Sequence, residues 1–151
     1  ARIMPIYEGT TAIQSNDLIG RKVIRDGGAT AESLFARIAE TAVALRAQEH
    51  PVAQRTAERL ERAVGSARAA TAALLGFGQT RDAYGVSVPY LMLLGTLSGA
   101  WMHALALVAV LGHETQDEAD KARIVSADFY GAHHLPRVHM LAETVAAGEV
   151  V

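Results

Sequence analysis

The chain has 151 residues, of which 14 are basic and 16 acidic, and its net charge is −2. Half of the residues are hydrophobic, and cysteine is absent. This length supports one domain with a buried core, and the lack of cysteine excludes disulfides, thiolate metal sites and a cysteine nucleophile. The charges are scattered and form no basic stripe of the kind that binds nucleic acid. A cysteine-free chain fits a reducing compartment, and we expect a cytoplasmic protein.

A glutamate lies on a glycine turn directly before the first predicted helix. The segment is Tyr7-Glu8-Gly9-Thr10, and Thr11 followed by Gln14 is a capping-box pattern for a helix that begins near Thr11. Glycine lets a ligand approach the backbone beside the carboxylate, and the free N–H groups of a helix start favour phosphate or developing negative charge. A carboxylate base and an anion-binding turn can therefore lie side by side, although a solvated glutamate before a helix fits the same residues.

Glycine and proline divide the rest of the chain into helical segments, because apolar residues recur every three to four positions. The first helix should end before Asp26-Gly27-Gly28, the predicted domain boundary. A second helix is predicted over about residues 31–48, and His50-Pro51 ends it. The residues predicted for its buried face are Leu34, Phe35, Ile38, Ala42 and Leu45.

A third helix is predicted over about residues 52–75, with a seam of mostly small residues that lets neighbouring helices approach closely. The seam consists of Ala53, Ala57, Leu60, Val64, Ala67, Thr71 and Leu74. Charged residues fill the opposite face, which we interpret as solvated and stabilised by pairs such as Glu58 with Arg62. The interleaved glutamates argue against binding of CoA phosphates or nucleic acid by the arginines of this face, which are Arg55, Arg59, Arg62 and Arg68.

The fourth predicted helix begins at Ser87 as its cap, has Pro89 in its first turn, and continues to Leu111. Its length and composition would allow a transmembrane helix. Three polar residues interrupt it and no basic cluster flanks it, so we predict a central bundle helix that is buried on most sides. The interrupting residues are Thr96, Ser98 and His103.

Two further features of this helix concern contacts. Gly95 and Gly99 have the spacing of a helix-dimerisation motif. Trp101, Met92 and Met102 are predicted anchors against another domain or subunit. We interpret His103 as a hydrogen-bonded core or interface residue rather than a catalyst.

The fifth predicted helix begins at Thr115, with a capping box to Glu118, and ends at Leu135 before Pro136. A short last helix continues to about Ala147. His133, His134 and His139 lack the spacing of metal ligands, so no metal site is predicted. Short connections between long helices predict an all-α fold, an up-and-down bundle of about four main helices.

The N-terminal segment carries a longer, gap-free signature. Its residues are Tyr7, Glu8, Gly9, Thr10, Ile13, Gln14, Asn16, Asp17, Leu18, Gly20, Arg21, Lys22, and then Arg25-Asp26-Gly27-Gly28. This signature resembles the C-terminal catalytic region of acyl-CoA dehydrogenases. Its later positions are similar to the long subgroup that includes 3-methylmercaptopropionyl-CoA dehydrogenases, which carry an extra helical domain. The resemblance implies that residues 1–28 are the edge of the catalytic domain, with its last helix, and that residues 29–151 are an accessory helical bundle.

The resemblance also implies a role for each residue of the turn. Glu8 would be the catalytic base that removes the α-proton of an acyl-CoA, and the product would be a trans-2-enoyl-CoA. Glu8, Gly9 and Tyr7 would bind substrate, while Thr10, Thr11 and Ala12 would contact FAD. Ala12 stands where many members have a glutamine, and Ser15 stands where the shorter enzymes commonly have an arginine.

The partners implied by the resemblance are an acyl-CoA and an electron-transfer flavoprotein, in a homo-oligomer that binds no nucleic acid and does not span a membrane. Most of the flavin pocket would precede this chain, so we expect the chain alone neither to hold FAD nor to be active. Two alternatives are a non-enzymatic helical interaction or oligomerisation domain and a DNA-protecting flavoprotein relative. The acidic charge balance disfavours the second alternative.

Overall fold

The computed structural model describes residues 10–148, which form helices joined by short connections. In chain order they are α1 (Thr10–Asp17), a π-helical segment (Leu18–Val23), α2 (Ala29–Arg46), α3 (Pro51–Phe77), α4 (Arg81–Gly85), α5 (Ser87–Leu111), α6 (Glu118–His133) and α7 (Arg137–Ala147). No β-strand occurs between residues 10 and 148. The predicted all-α helical bundle is therefore confirmed.

Helix α3 lies at the centre of the bundle and contacts α2, α5, α6 and α7. All seven residues of its predicted seam are buried. Many of them are alanines, whose single methyl group lets neighbouring backbones approach closely. The small-residue seam therefore determines how tightly the other helices surround α3.

Helix α2 begins at Ala29, two positions earlier than predicted. The turn before it supplies hydrogen-bond acceptors for the first N–H groups of the helix, which have no partner within it. Gly27 and Gly28 have positive φ angles of 63° and 81°, a conformation that glycine adopts without strain. The Asp26 carboxylate accepts hydrogen bonds from the N–H groups of Gly28 and Thr30, both at 2.9 Å. Hydrogen bonds from Thr30, the largest cause, hold the pKa of Asp26 below its usual value.

Three predicted helix caps are wrong. Thr11 lies inside α1, which begins at Thr10. Ser87 is the first residue of α5 rather than its cap, and its hydroxyl bonds elsewhere. Helix α6 begins at Glu118 instead of Thr115, because the Asp117 carboxylate accepts the Asp120 N–H at 2.8 Å and so caps the helix. Helix α6 also ends at His133, and the short α4 was not predicted.

Helix α5 is less buried than predicted. It contacts α1, α2, α3, α6 and α7, yet only 33% of its most apolar window is buried. Of the helices in residues 10–148, it is the one whose length and composition would allow a membrane crossing, and the core helix of a soluble protein passes the same test. The exposed apolar side chains on its outer face are Val88, Met92, Met102 and Leu105.

Gly99 and Trp101 of α5 both make contacts within the bundle, although Trp101 was predicted to be an anchor for another domain or subunit. Gly99 lies beneath the Tyr130 ring of α6, and the Tyr130 hydroxyl donates to the Thr96 carbonyl at 3.2 Å. The Trp101 indole N–H donates to Thr41 Oγ1 at 2.8 Å. Trp101 therefore joins α5 to α2, whereas Met92 and Met102 remain half exposed.

The charged face of α3 pairs with other helices. The predicted ion pair of Glu58 with Arg62 does not occur among the ion pairs of the described residues. The pairs that do form are Glu61 with Arg46 at 2.5 Å, Arg68 with Glu32 at 2.5 Å, and Asp128 with Arg55 and Arg59 at 2.8 and 2.7 Å. Long side chains can reach an adjacent helix as easily as the next turn of their own helix. These ion pairs therefore connect α3 to α2 and α6.

We predict that Thr56→Val stabilises the chain. The buried Thr56 hydroxyl has no hydrogen-bond partner in the described structure. Because such a group keeps its desolvation penalty, its removal should raise the free energy of unfolding by about 1 kcal/mol in urea denaturation. The matched control is Thr71→Val, which should destabilise the chain, because that buried hydroxyl donates to the Ala67 carbonyl at 2.8 Å and pairs with Tyr90 at 2.9 Å. Equal destabilisation by both variants would contradict this account.

A second prediction concerns Asp128, whose pKa is held below its usual value mainly by the hydrogen bond from Arg55. A lowered folded pKa stabilises the chain fully above the unfolded pKa of about 3.9, and the effect is lost as the pH falls through the folded pKa. Asp128→Asn should therefore lower the Tm at pH 7 by a few degrees, and the deficit should shrink below about pH 4. Thermal unfolding at several pH values measures this.

The control for Asp128 is Glu143→Gln, which changes an exposed carboxylate of α7. Its Tm should follow that of the parent across the same pH range. A deficit of Asp128→Asn that stays constant down to pH 3 would show that the ion pairs are not its cause.

Candidate functional site

The predicted catalytic turn lies at the edge of the described structure. Tyr7, Glu8 and Gly9 are outside the described residues, so their assigned roles stay predictions. Thr10, Thr11 and Ala12 form the first turn of α1. Thr10 is partly exposed, and the other two residues are exposed. The predicted contacts of these three residues with FAD also stay predictions.

A buried hydroxyl pair attaches α1 to the bundle. Ser15 is fully buried, and its Oγ lies 3.0 Å from the Oγ of Ser87 at the start of α5. Ser15 donates its proton to the Ala12 carbonyl at 2.9 Å. Because a hydroxyl carries one proton, Ser87 is the donor in the pair and Ser15 the acceptor. The first helix is thus bonded directly to the most apolar helix.

The π-helical segment continues this attachment. Ile19 and Val23 are buried in the same hydrophobic core as the bundle helices. Gly20 is needed for a close approach, since a Cβ there would lie 2.6 Å from the Tyr84 hydroxyl. On the outer side, Asp17 pairs with Arg21 and Lys22, both at 3.2 Å. Residues 10–23 are therefore attached to the bundle through their buried residues, which are Ser15, Ile19, Gly20 and Val23.

A cleft of about 370 Å³ lies between α3 and the α6–α7 corner. Its lining residues are Arg59, Arg62, Gly131, Ala132, Leu135, Pro136 and His139. The Arg59 charge is already balanced by Asp128 at 2.7 Å, and His139 Nδ1 is bonded to the Ser66 hydroxyl at 2.8 Å. With these partners occupied, the cleft presents the Arg62 guanidinium as its main cationic group.

A second cleft, of about 320 Å³, lies between α5 and α6 and has ring side chains in its wall. Tyr130 lies between His103 and His134, with ring centroids 4.8 and 5.0 Å away. The predicted core or interface role of His103 fits this stacking. Among residues 10–148, no group of three or more histidine or carboxylate side chains is arranged to hold a metal ion.

The attachment of α1 was not predicted. The sequence distinguishes Ser15 only as the residue that replaces an arginine of the shorter acyl-CoA dehydrogenases, and it predicts that Ser87 caps a helix. The two residues are 72 positions apart, and no local pattern pairs them. The contact of Tyr84 with Gly20 was missed for the same reason, because it depends on the corner formed by α4.

The comparisons with known proteins agree on one family. The family model described as "Acetyl-CoA dehydrogenase C-terminal like" matches residues 34–151, which is most of the chain. Over 139 residues the chain is 48% identical to 3-methylmercaptopropionyl-CoA dehydrogenase of Ruegeria pomeroyi, a match that covers 86% of this chain and 23% of that enzyme. No solved structure matches the chain.

A more distant relative extends the match to nearly the whole chain. It is a broad-specificity linear acyl-CoA dehydrogenase of Mycobacterium tuberculosis, 30% identical over 157 aligned residues, covering 96% of this chain and 26% of that enzyme. The chain thus spans about a quarter of the length of these curated relatives. The resemblance predicted from the N-terminal signature is confirmed: this chain belongs to the acyl-CoA dehydrogenases, as a member of their C-terminal domain family.

Proposed function

We propose that the chain is the C-terminal part of an FAD-dependent acyl-CoA dehydrogenase that converts an acyl-CoA thioester to a trans-2-enoyl-CoA. The observation that carries this proposal is the 48% identity to a relative whose name describes an acyl-CoA dehydrogenase, together with the glutamate turn at Glu8. Residues 1–28 are the edge of the catalytic domain, and residues 29–151 are an accessory bundle.

Glu8 is the proposed base. Its carboxylate takes the α-proton of the thioester, and its backbone N–H donates to the thioester carbonyl, where negative charge develops. FAD, when bound, would accept the hydride that leaves the β-carbon. Gly9 has no side chain, so the substrate can approach the protein backbone beside the carboxylate. Tyr7 lies next to the base in the sequence.

The first turn of α1 can contact only one edge of the proposed FAD. Thr11 and Ala12 are exposed, and the first N–H groups of a helix have no partner within it. The hydroxyls of Thr10 and Thr11 can therefore donate to FAD, while Ala12 offers only its methyl group and backbone. The chain spans about a quarter of the length of its curated relatives, which supports a flavin pocket built mainly by residues outside this chain.

The bundle has a proposed role in contacts between domains or subunits. The outer face of α5 exposes Met92 and Met102, 52% and 50% accessible, and carries no charged side chain. An exposed apolar face of this kind is typical of an interaction surface. We infer a homo-oligomeric, cytoplasmic enzyme that passes its electrons to an electron-transfer flavoprotein and neither binds nucleic acid nor spans the membrane.

The same exposed face supports the second candidate function, a non-enzymatic helical interaction or oligomerisation domain. The two candidates differ in what they require of Glu8. Only the enzyme depends on a carboxylate at that position.

We predict that Glu8→Gln, in a full-length enzyme carrying this chain as its C-terminal part, keeps FAD bound but reduces the rate of flavin reduction by acyl-CoA at least about 10³-fold. The amide cannot accept the α-proton. Stopped-flow absorbance measures the reduction, and the flavin spectrum measures FAD content. Glu143→Gln on α7 is the matched control and should reduce flavin at the parent rate. Undiminished reduction by Glu8→Gln would remove Glu8 from its assigned role.

We also predict that the 151-residue chain alone neither retains FAD nor oxidises acyl-CoA, because most of the proposed pocket is formed elsewhere. A flavin absorbance titration of the purified chain measures this. Tight binding of FAD by the chain alone would show that the flavin pocket is not built as proposed.

A further inference from the structure

We propose that Ser15, Ser87 and Tyr84 are positioning residues through which the accessory bundle holds the catalytic base in place. This inference rests on the proposed function, because the base is Glu8. It assigns the bundle a direct part in the reaction in addition to contacts between domains or subunits.

The distance along the chain from the base to the anchor is short. Helix α1 begins at Thr10, two residues after Glu8. One residue spans at most about 3.6 Å, so covalent geometry keeps the Glu8 Cα within about 7 Å of the Thr10 Cα. Ser15 is five residues further on, about 8 Å along a helix. A displacement of α1 therefore moves the point at which the segment that carries the base is attached.

The hydroxyl pair restricts the motions that apolar packing permits. Ile19 and Val23 hold the segment in the core, but apolar contacts are non-directional and tolerate small shifts. A hydrogen bond loses strength steeply outside a narrow range of distance and angle. Ser15 and Ser87 are 0% and 3% exposed, so water cannot replace a broken bond, and separating them leaves an unpaired buried hydroxyl. The pair therefore fixes both the rotation and the axial position of α1.

Tyr84 packs against Gly20 on the next turn. The Tyr84 hydroxyl occupies the space where any larger residue at position 20 would place its Cβ. Tyr84 belongs to α4, directly before α5, so both attachments come from the same corner of the bundle. The corner between α3 and α5 thus contacts both α1, through Ser87, and the π-helical segment, through Tyr84.

A small displacement of the base has a large effect on proton transfer. A carboxylate must lie within hydrogen-bond reach of the proton that it removes, and a misplacement of about 1 Å can cost about 10²-fold in rate. A partly loosened α1 should accordingly slow abstraction of the α-proton by about tenfold. FAD should stay bound, because most of its proposed pocket is built by residues outside this chain.

The first test uses the full-length enzyme. Ser87→Ala and, as a second variant, Ser15→Ala should each lower the rate constant of flavin reduction at saturating acyl-CoA by about tenfold. The isotope effect of α-deuterated substrate should rise, while FAD content stays at the parent level. The double variant should be no slower than either single variant, because both remove the same bond.

The matched control is Tyr90→Phe. It also removes one partner of a buried hydroxyl pair, with Thr71 at 2.9 Å, but that pair joins α5 to α3 rather than to α1. It should lower stability and leave the reduction rate and isotope effect at their parent values. Parent-like reduction by Ser87→Ala, or an equal loss in Tyr90→Phe, would overturn the positioning role.

The second test uses the 151-residue chain and does not depend on catalysis. Amide hydrogen exchange over Thr10–Val23 should be about tenfold faster in Ser87→Ala and unchanged in Tyr90→Phe. Unchanged exchange in Ser87→Ala would overturn the proposal even if Glu8 proves to be the base. Conversely, if Glu8→Gln reduces flavin normally, the proposed function fails, and the role of Ser15 and Ser87 in positioning a base fails with it, while the exchange result still decides whether they anchor α1.

Discussion

The close approach of the helices to α3 is the constraint on which the rest of the structure depends. Its most buried positions are largely alanine, at residues 53, 57, 63, 67 and 70, each at most 1% exposed. A larger side chain at any of them would require space that a close-packed interior does not have. Because α3 contacts α2, α5, α6 and α7, the small-residue seam determines where these helices lie. The start of α5, and with it Ser87, is placed by the same packing.

Helix α5 joins the core to α1, the helix that follows the proposed catalytic turn. Its inner face completes the core through residues such as Leu93 and Leu97, both fully buried. Its first residue holds α1, and its outer face remains apolar and accessible. The most apolar helix of the chain therefore connects three regions: the bundle interior, the proposed edge of the active site, and an open surface. This arrangement explains why a helix of such composition is not wholly buried.

The helical periodicity and the contiguous signature allowed much of this to be predicted. All seven residues of the α3 seam are buried, as their heptad spacing indicated, and the family was identified from the residues around Glu8. The caps were less predictable, because Thr115 and Asp117 are both competent cap residues before α6 and only the path of the chain selects Asp117. The pairing of Glu58 with Arg62 is not among the ion pairs of the described residues, whereas Arg55, Arg59 and Arg68 of α3 pair with carboxylates on α6 and α2.

By itself, the sequence determined the helical class, most of the buried faces of α2 and α3 and the family, because these depend on local periodicity and on an ordered run of residues. Only the tertiary structure decided which residues from distant parts of the chain are in contact. The bond between Ser15 and Ser87, the contact of Tyr84 with Gly20 and the exposure of α5 all depend on how distant helices are placed. Hydrogen bonds act over about 3 Å between groups that may be far apart in the chain, so the period of a single helix carries no information about them.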